Sequence, residues 1–189
     1  MNVKRTIFTL LCGIAASAAL LYAGTRDDGN PGNRLDLKTD LLHDITGTMA
    51  FGAELPLLRF YSLDFLGLWN SWTFLGDVKY KRWEIMAEPR LWFRSAPRRG
   101  HFIGLHLFGG EFNYSGVTMP FGLYPSLRDN RYEGWFAGGG VSYGYRWNFT
   151  SRIGMEGVVG VGLAHVDYQK YRCGHCGERI GSGKRLYVG

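Results

Sequence analysis

Between Leu35 and Tyr168 apolar and polar residues alternate in seven runs, and this period of two restricts the fold more than any other feature. The run from Trp135 to Phe149 is the cleanest. Trp135, Ala137, Gly139, Val141, Tyr143, Tyr145, Trp147 and Phe149 fall on one side; Phe136, Gly138, Gly140, Ser142, Gly144, Arg146 and Asn148 fall on the other. Successive side chains of a strand point to opposite faces, so each run has one greasy face and one polar or empty face. Runs of about ten residues with aromatic ends suit a strand that crosses a bilayer at a tilt. Aromatics make up 15% of the 189 residues, a heavy load of apolar surface for a soluble domain this short, and the 28 Gly favour bent, closely packed strands over helices. The mean hydropathy of −0.14 agrees with strands that are polar on one side.

The strands are predicted at 35–45, 48–57, 61–69, 82–94, 101–114, 135–149 and 153–168, with an eighth starting near Leu186. Pro89 removes a ladder donor from the fourth run and hints at a bulge. The second, fourth and sixth connections are short; the third (71–81), fifth (115–133) and seventh are long. Outer-membrane barrels have short periplasmic turns and longer external loops, so the phase fits a first strand that runs outward. The expected fold is all-β: a small antiparallel up-and-down transmembrane β-barrel of the eight-stranded type, occupying 35–189, with its last strand cut short at Gly189 or completed by another segment. The rival is a soluble lipocalin-like barrel, whose apolar face would point inward. Its polar exterior would have no need of so many Gly.

Residues 1–23 read as a secretory signal peptide: Lys4 and Arg5, then an apolar stretch from Thr6 to Tyr22, then small residues at Ala23 and Gly24. Cys12 is preceded by Leu11 where a lipoprotein needs a small residue. Residues 24–34, polar and rich in Gly, Asp and Asn, read as a flexible periplasmic leader. Export through a cleaved signal peptide implies an outer-membrane location. Nucleic acid is then not an expected partner, despite a net charge of +6.

The polar faces are charged. Asp36, Asp40, Asp44, Glu54, Asp64, Glu84, Glu88 and Glu156 are the acids and Lys38, Arg90 and Arg146 the bases. A narrow barrel is filled by side chains, and charges inside it must pair. The expectation is an interior network in which Glu84, Glu88 and Glu156 hold Arg90 and Arg146; the alternative is a narrow ion-conducting path. Cys173 and Cys176 form a C-x-x-C in the last external loop with His175 between them. A closed zinc site needs four ligands, so a disulfide is the favoured reading over a metal or redox site. Lys79, Lys81, Arg82, Arg128, Arg131, Arg172, Lys184 and Arg185 are read as bases of the outward loops that could meet lipopolysaccharide phosphates or acidic partners. No catalytic, cofactor-binding or metal residues are expected. His165, Asp167 and Ser182 raise the alternative of a lipid-acylating barrel enzyme, on residue types that are common in loops.

Several stretches resemble a Bacteroidetes family called domain of unknown function 3575. They are Arg131-Tyr132-Glu133-Gly134-Trp135-Phe136, Gly138-Gly139-Gly140 with Ser142-Tyr143-Gly144-Tyr145, and Tyr171-Arg172-Cys173 with Cys176-Gly177-Glu178. Lys38-Thr39-Asp40-Leu41-Leu42, Pro89-Arg90-Leu91-Trp92-Phe93 and Gly100-His101-Phe102 running to Gly109-Gly110 are also similar. The resemblance implies an outer-membrane barrel of uncharacterised function, with genes often beside fimbrial genes and no catalytic residues to transfer. Its members continue past a Tyr-Phe-Gly-like segment into a last strand, where this chain has Tyr187-Val188-Gly189. The expected role is structural or assembly-related at the cell surface, with outer-membrane lipid, lipopolysaccharide and surface or fimbrial proteins as partners.

Overall fold

The computed structural model describes residues 17–24, 35–73, 78–94, 99–116, 130–150, 152–172 and 177–188. They form one antiparallel, up-and-down sheet in chain order: β1 (Ser17–Gly24), β2 (Asp36–Asp40), β3 (Met49–Leu58), β4 (Tyr61–Thr73), β5 (Lys79–Trp92), β6 (Gly100–Ser115), β7 (Asn130–Asn148), β8 (Ile153–Arg172) and β9 (Arg179–Val188). A five-residue helix, α1 (Leu41–Ile45), joins β2 to β3. β1 pairs with β2 on one side, from Leu20–Asp40 to Gly24–Asp36, and with β8 on the other, from Ser17–Val158 to Ala23–Ile153. Hydrogen-bonded neighbours therefore run from β1 through β8 and back to β1. β9 pairs with the far half of β8, from Leu163–Val188 to Tyr171–Arg179.

The faces are inverted relative to a water-soluble sheet. Val161 is 59% exposed and Phe51 69%, whereas Arg146 is 2% exposed and Glu156 fully buried. The same inversion runs through β3 to β8: Ile85, Leu105 and Val141 face out, while Glu54, Asp64, Glu88 and Arg90 face in. The lipocalin-like alternative has its apolar residues inside and is not the observed arrangement.

Several boundaries move. The first strand stops at Asp40 instead of reaching Ile45, because the Asp40 carboxylate accepts from the backbone N–H of Leu42 at 3.0 Å and of His43 at 3.4 Å. That is an N-cap, and it turns the chain into α1. Asp44, expected inside, sits on this helix instead, where it accepts from Thr39 Oγ1 and from the Ala50 N–H at 3.1 Å. Gly47 then takes a positive φ of 78°, and a Cβ there would lie 3.3 Å from Trp72 Nε1, which donates to the Gly47 carbonyl. The β4–β5 hairpin extends to Thr73 and Lys79, into the expected loop. β7 begins at Asn130, β8 runs to Arg172, and β9 begins at Arg179 rather than near Leu186. Ser17–Gly24, at the end of the segment read as a signal peptide, is β1.

Large inward side chains sit over glycines on the neighbouring strand. Phe102 is fully buried, and a Cβ on Gly144 would come within 2.2 Å of its ring. Gly144→Val is therefore expected to cost about 1–3 kcal/mol by overpacking. Urea titration should show the loss, with partial recovery when Phe102 is also changed to Leu; a silent Gly144→Val would contradict this packing.

Candidate functional site

The distinctive chemistry lies inside the sheet, and strand register creates it. Asp36 is opposite Glu54, Glu54 opposite Asp64, and Asp64 opposite Glu88, so four strands present carboxylates in one cross-strand row. Like charges directly opposite each other destabilise a sheet. Three cations reach into the row and offset that repulsion. Lys38 Nζ donates to Glu54 Oε2 at 2.5 Å and to both Glu156 oxygens at 3.1 Å, and lies 3.0 Å from Asp64 Oδ1. Arg90 donates through Nε to Glu88 at 2.5 Å and through Nη1 to Glu156 at 3.0 Å; its Nη2 is 2.8 Å from Asp64. Arg146 donates to Asp36 at 2.9 Å and to Glu54 and Glu156. Glu156 is thus shared by all three cations.

Aromatic rings complete the shell. The Arg90 guanidinium lies 4.5 Å from the Phe102 ring centroid and that of Arg146 4.6 Å from Trp92, a cation–π arrangement away from water. Trp92 and Phe102 are 4.7 Å apart, and Trp92 Nε1 donates to Ser62 Oγ at 2.8 Å. Ser142 Oγ donates to Glu88 at 2.9 Å, with His106 Nδ1 3.9 Å from the same oxygen. Buried charges are tolerated when their hydrogen-bonding groups are matched this densely. Higher up, Phe136 packs near Phe108 and Phe112, and Tyr80 stacks on Tyr114 at 4.9 Å. Ion pairs and rings thus occupy the inner face of the sheet at these levels.

The sequence-predicted residues fall in three groups. Arg90, Arg146, Glu88 and Glu156 are gathered in the network just described. Glu84 lies apart from it: its carboxylate binds Arg82, whose guanidinium also covers the Phe136 ring at 5.2 Å. Arg82 therefore points inward on β5 and is not an outward loop base. Lys79 and Lys81 are on β5, Arg131 on β7, Arg172 at the end of β8, and Lys184 and Arg185 on β9. The bases expected in loops thus lie on long strands. Arg131 pairs with Glu133 and Lys184 with Asp167, the latter at 3.3 Å. Arg185 lies 5.8 Å over the Tyr168 ring. Arg128, Cys173 and Cys176 lie outside the described residues.

His165, Asp167 and Ser182 share one face near the β8–β9 ladder. Ser182 is opposite Gln169, four residues along β8 from His165 and about 13 Å away at strand rise. Asp167 meets Lys184, and His165 packs 5.5 Å from the Trp135 ring. The three do not form a relay. Among the described residues no group of His, Cys, Asp or Glu is arranged to hold a metal ion.

Sequence reading gives the run from Trp135 to Phe149 its aromatic ends but does not join them to the rings of other strands that mark the two ends of the apolar band. Trp69 is opposite Trp83, and Glu111, which accepts from Trp83 Nε1 at 3.0 Å, is opposite both Trp83 and Trp135. At the other end Phe93, His101, Tyr143, Tyr145 and Trp147 form a chain of ring contacts, His101 contacting Phe93, Tyr143 and Tyr145, with Trp147 against Tyr145. The signal that could have found both belts is aromatic spacing across strands, which requires the register.

The model of a family described as "Protein of unknown function (DUF3575)" matches residues 8–189. No curated protein and no solved structure is matched.

Proposed function

We propose, proceeding from the premise that the chain belongs to the DUF3575 family, that it is a small outer-membrane β-barrel with a structural or assembly role at the cell surface. The inverted burial of its side chains carries this reading: a continuous apolar exterior around a charged interior is stable only where hydrocarbon replaces water outside. The height of the exterior band supports it. From Trp135 to Tyr145, β7 covers about 33 Å of strand, or roughly 25 Å of height at a tilt of about 40°. Aromatic belts at both ends match the two bilayer interfaces. Among the described residues no helix is long and apolar enough to cross a membrane, so strands would do the crossing.

A filled interior favours scaffolding over conduction, since ion pairs and rings occupy the lumen where a pore would run. β5 and β7 carry Lys79, Lys81 and Arg131 beyond the upper Trp belt, and β9 sets Lys184 level with Trp135 through Asp167, a surface suited to lipopolysaccharide phosphate or acidic segments of a surface partner. The link to fimbriae rests on the family resemblance alone.

Membrane fractionation of cells expressing the full chain tests the reading first. The protein is expected in the outer-membrane fraction, running faster on gels unless heated, and deletion of its gene is expected to reduce surface-fibre assembly. Recovery as a soluble protein would overturn the membrane reading; intact fibres on deletion would overturn the assembly role.

A further inference from the structure

The outer face toward the short-turn end combines three features. An apolar groove of about 880 Å³ crosses β4 to β8, walled by Tyr61, Leu91, Ile103, Leu105, Tyr143 and Val161. It lies where Pro89, lacking an N–H, interrupts the β5–β6 ladder between Ala87–Leu107 and Arg90–Gly104. Directly below comes the ring belt, in which Phe93 N–H donates to the His101 carbonyl at 3.1 Å and the Tyr143 hydroxyl meets His101 Nδ1. Below that, each short turn carries exposed arginine: Arg59, Arg94 with Arg99, and Arg152. The turns themselves (58–60, 93–100 and 149–153) contain no Asp or Glu, and the β1–β2 connection at the same end holds Asp27 and Asp28 with Arg26 and Arg34. The opposite end differs, because there Glu111, Glu133, Asp167 and Glu178 stand among the bases.

We propose that this face is a binding site for one anionic phospholipid of the adjacent leaflet, its acyl chains in the groove and its headgroup phosphate on Arg94 and Arg99. The inference rests on the membrane reading above. Order along the barrel axis carries it: apolar groove, then amphipathic rings, then exposed guanidinium groups, the same sequence of chemistry as acyl chain, glycerol and phosphate. Aromatic rings with a polar edge favour the headgroup level, and guanidinium engages phosphate in bidentate fashion. The occupant is a bilayer lipid and not free phosphate, because the cations are exposed and gain affinity only when the groove holds the chains beside them.

The full chain is refolded into vesicles of phosphatidylcholine mixed equally with phosphatidylglycerol, extracted into mild detergent, and weighed intact with its retained lipid. The wild type is expected to retain phosphatidylglycerol over phosphatidylcholine by roughly 30-fold, the preference that two interfacial arginines supply. The double change Arg94→Gln and Arg99→Gln should cut this to a few-fold without altering the heat-dependent gel mobility, while Arg94→Lys with Arg99→Lys should keep most of it. Leu105→Trp, which fills the groove, should lower retention of both lipids. Equal retention of the two lipids by the wild type, or an undiminished preference in the Gln pair, would overturn the site and leave the membrane reading standing. Failure to insert into vesicles of any composition would overturn both.

Discussion

Replacing Glu156 by Gln is expected to lower unfolding stability by about 3–5 kcal/mol, the range for breaking a buried ion pair by removing one partner. Glu156 is fully buried and, like Glu54, is contacted by Lys38, Arg90 and Arg146 together. The site holds five carboxylates, Asp36, Glu54, Asp64, Glu88 and Glu156, around those three cations. Formal charge alone would make the loss of an acid welcome. Geometry argues otherwise, because Asp36, Glu54, Asp64 and Glu88 come from consecutive neighbouring strands, whereas Glu156 approaches from β8 on the other side of the cations. Without its charge, three desolvated cations lose one of their two common partners, and the one on the β8 side. Glu84→Gln is the control: Glu84 pairs with the partly exposed Arg82 outside this cluster, and its loss should cost about 1 kcal/mol. Urea titration of the refolded protein in lipid vesicles measures both. Equal losses for the two variants would show that the shared position of Glu156 has no energetic meaning.

Val141→Arg should be the second costly change, and its sign depends on the surrounding solvent. Val141 is 52% exposed, halfway between Trp135 and Trp147 on β7. In water, an exposed strand residue of this kind changes stability by no more than about 0.5 kcal/mol when replaced. On the hydrocarbon-facing surface of a barrel, arginine at mid-height costs about 2–4 kcal/mol, falling toward zero near the interfaces. Val141→Arg should therefore lose about 2–4 kcal/mol in vesicles, and Phe149→Arg, beyond the lower belt, about 1 kcal/mol or less. Depth dependence is the informative readout. Two variants with the same small effect would mean that the greasy face meets water or another protein.

Residue periodicity made the strands and their in–out sense legible, since side-chain direction follows from counting by two. Arg90, Glu88, Arg146 and Glu156 could be assigned to one face on that ground. That charges inside a barrel must pair makes a network of these four expected; the place of Lys38, Glu54 and Asp64 at its centre is not legible, because it depends on which rows of β2 to β5 lie side by side. Register is a relation between strands, and a run such as Ala50-Phe51-Gly52-Ala53-Glu54 does not state its partner. Strand ends were hidden for another reason. Asn130 to Glu133 and Gln169 to Arg172 are polar on both faces, because the upper sheet is partly exposed on both sides and alternation fades there. The stop at Asp40 is a single hydrogen-bonding event by one carboxylate, in a stretch whose apolar spacing continues through Leu41. Ser17–Gly24 was hard to read as strand because its residues are apolar or small whichever way they point.

The division of the β8 edge between β1 and β9 makes the wall mechanically uneven. β7 and β8 are laced together from Asn130–Arg172 to Asn148–Gly154, whereas the return from β8 to β2 passes through the eight residues of β1 and the five of β2. Thermal breathing, or a bilayer too thick or too thin for the band, would find least resistance at that narrow seam, and the remaining staves would then splay as one curved plate.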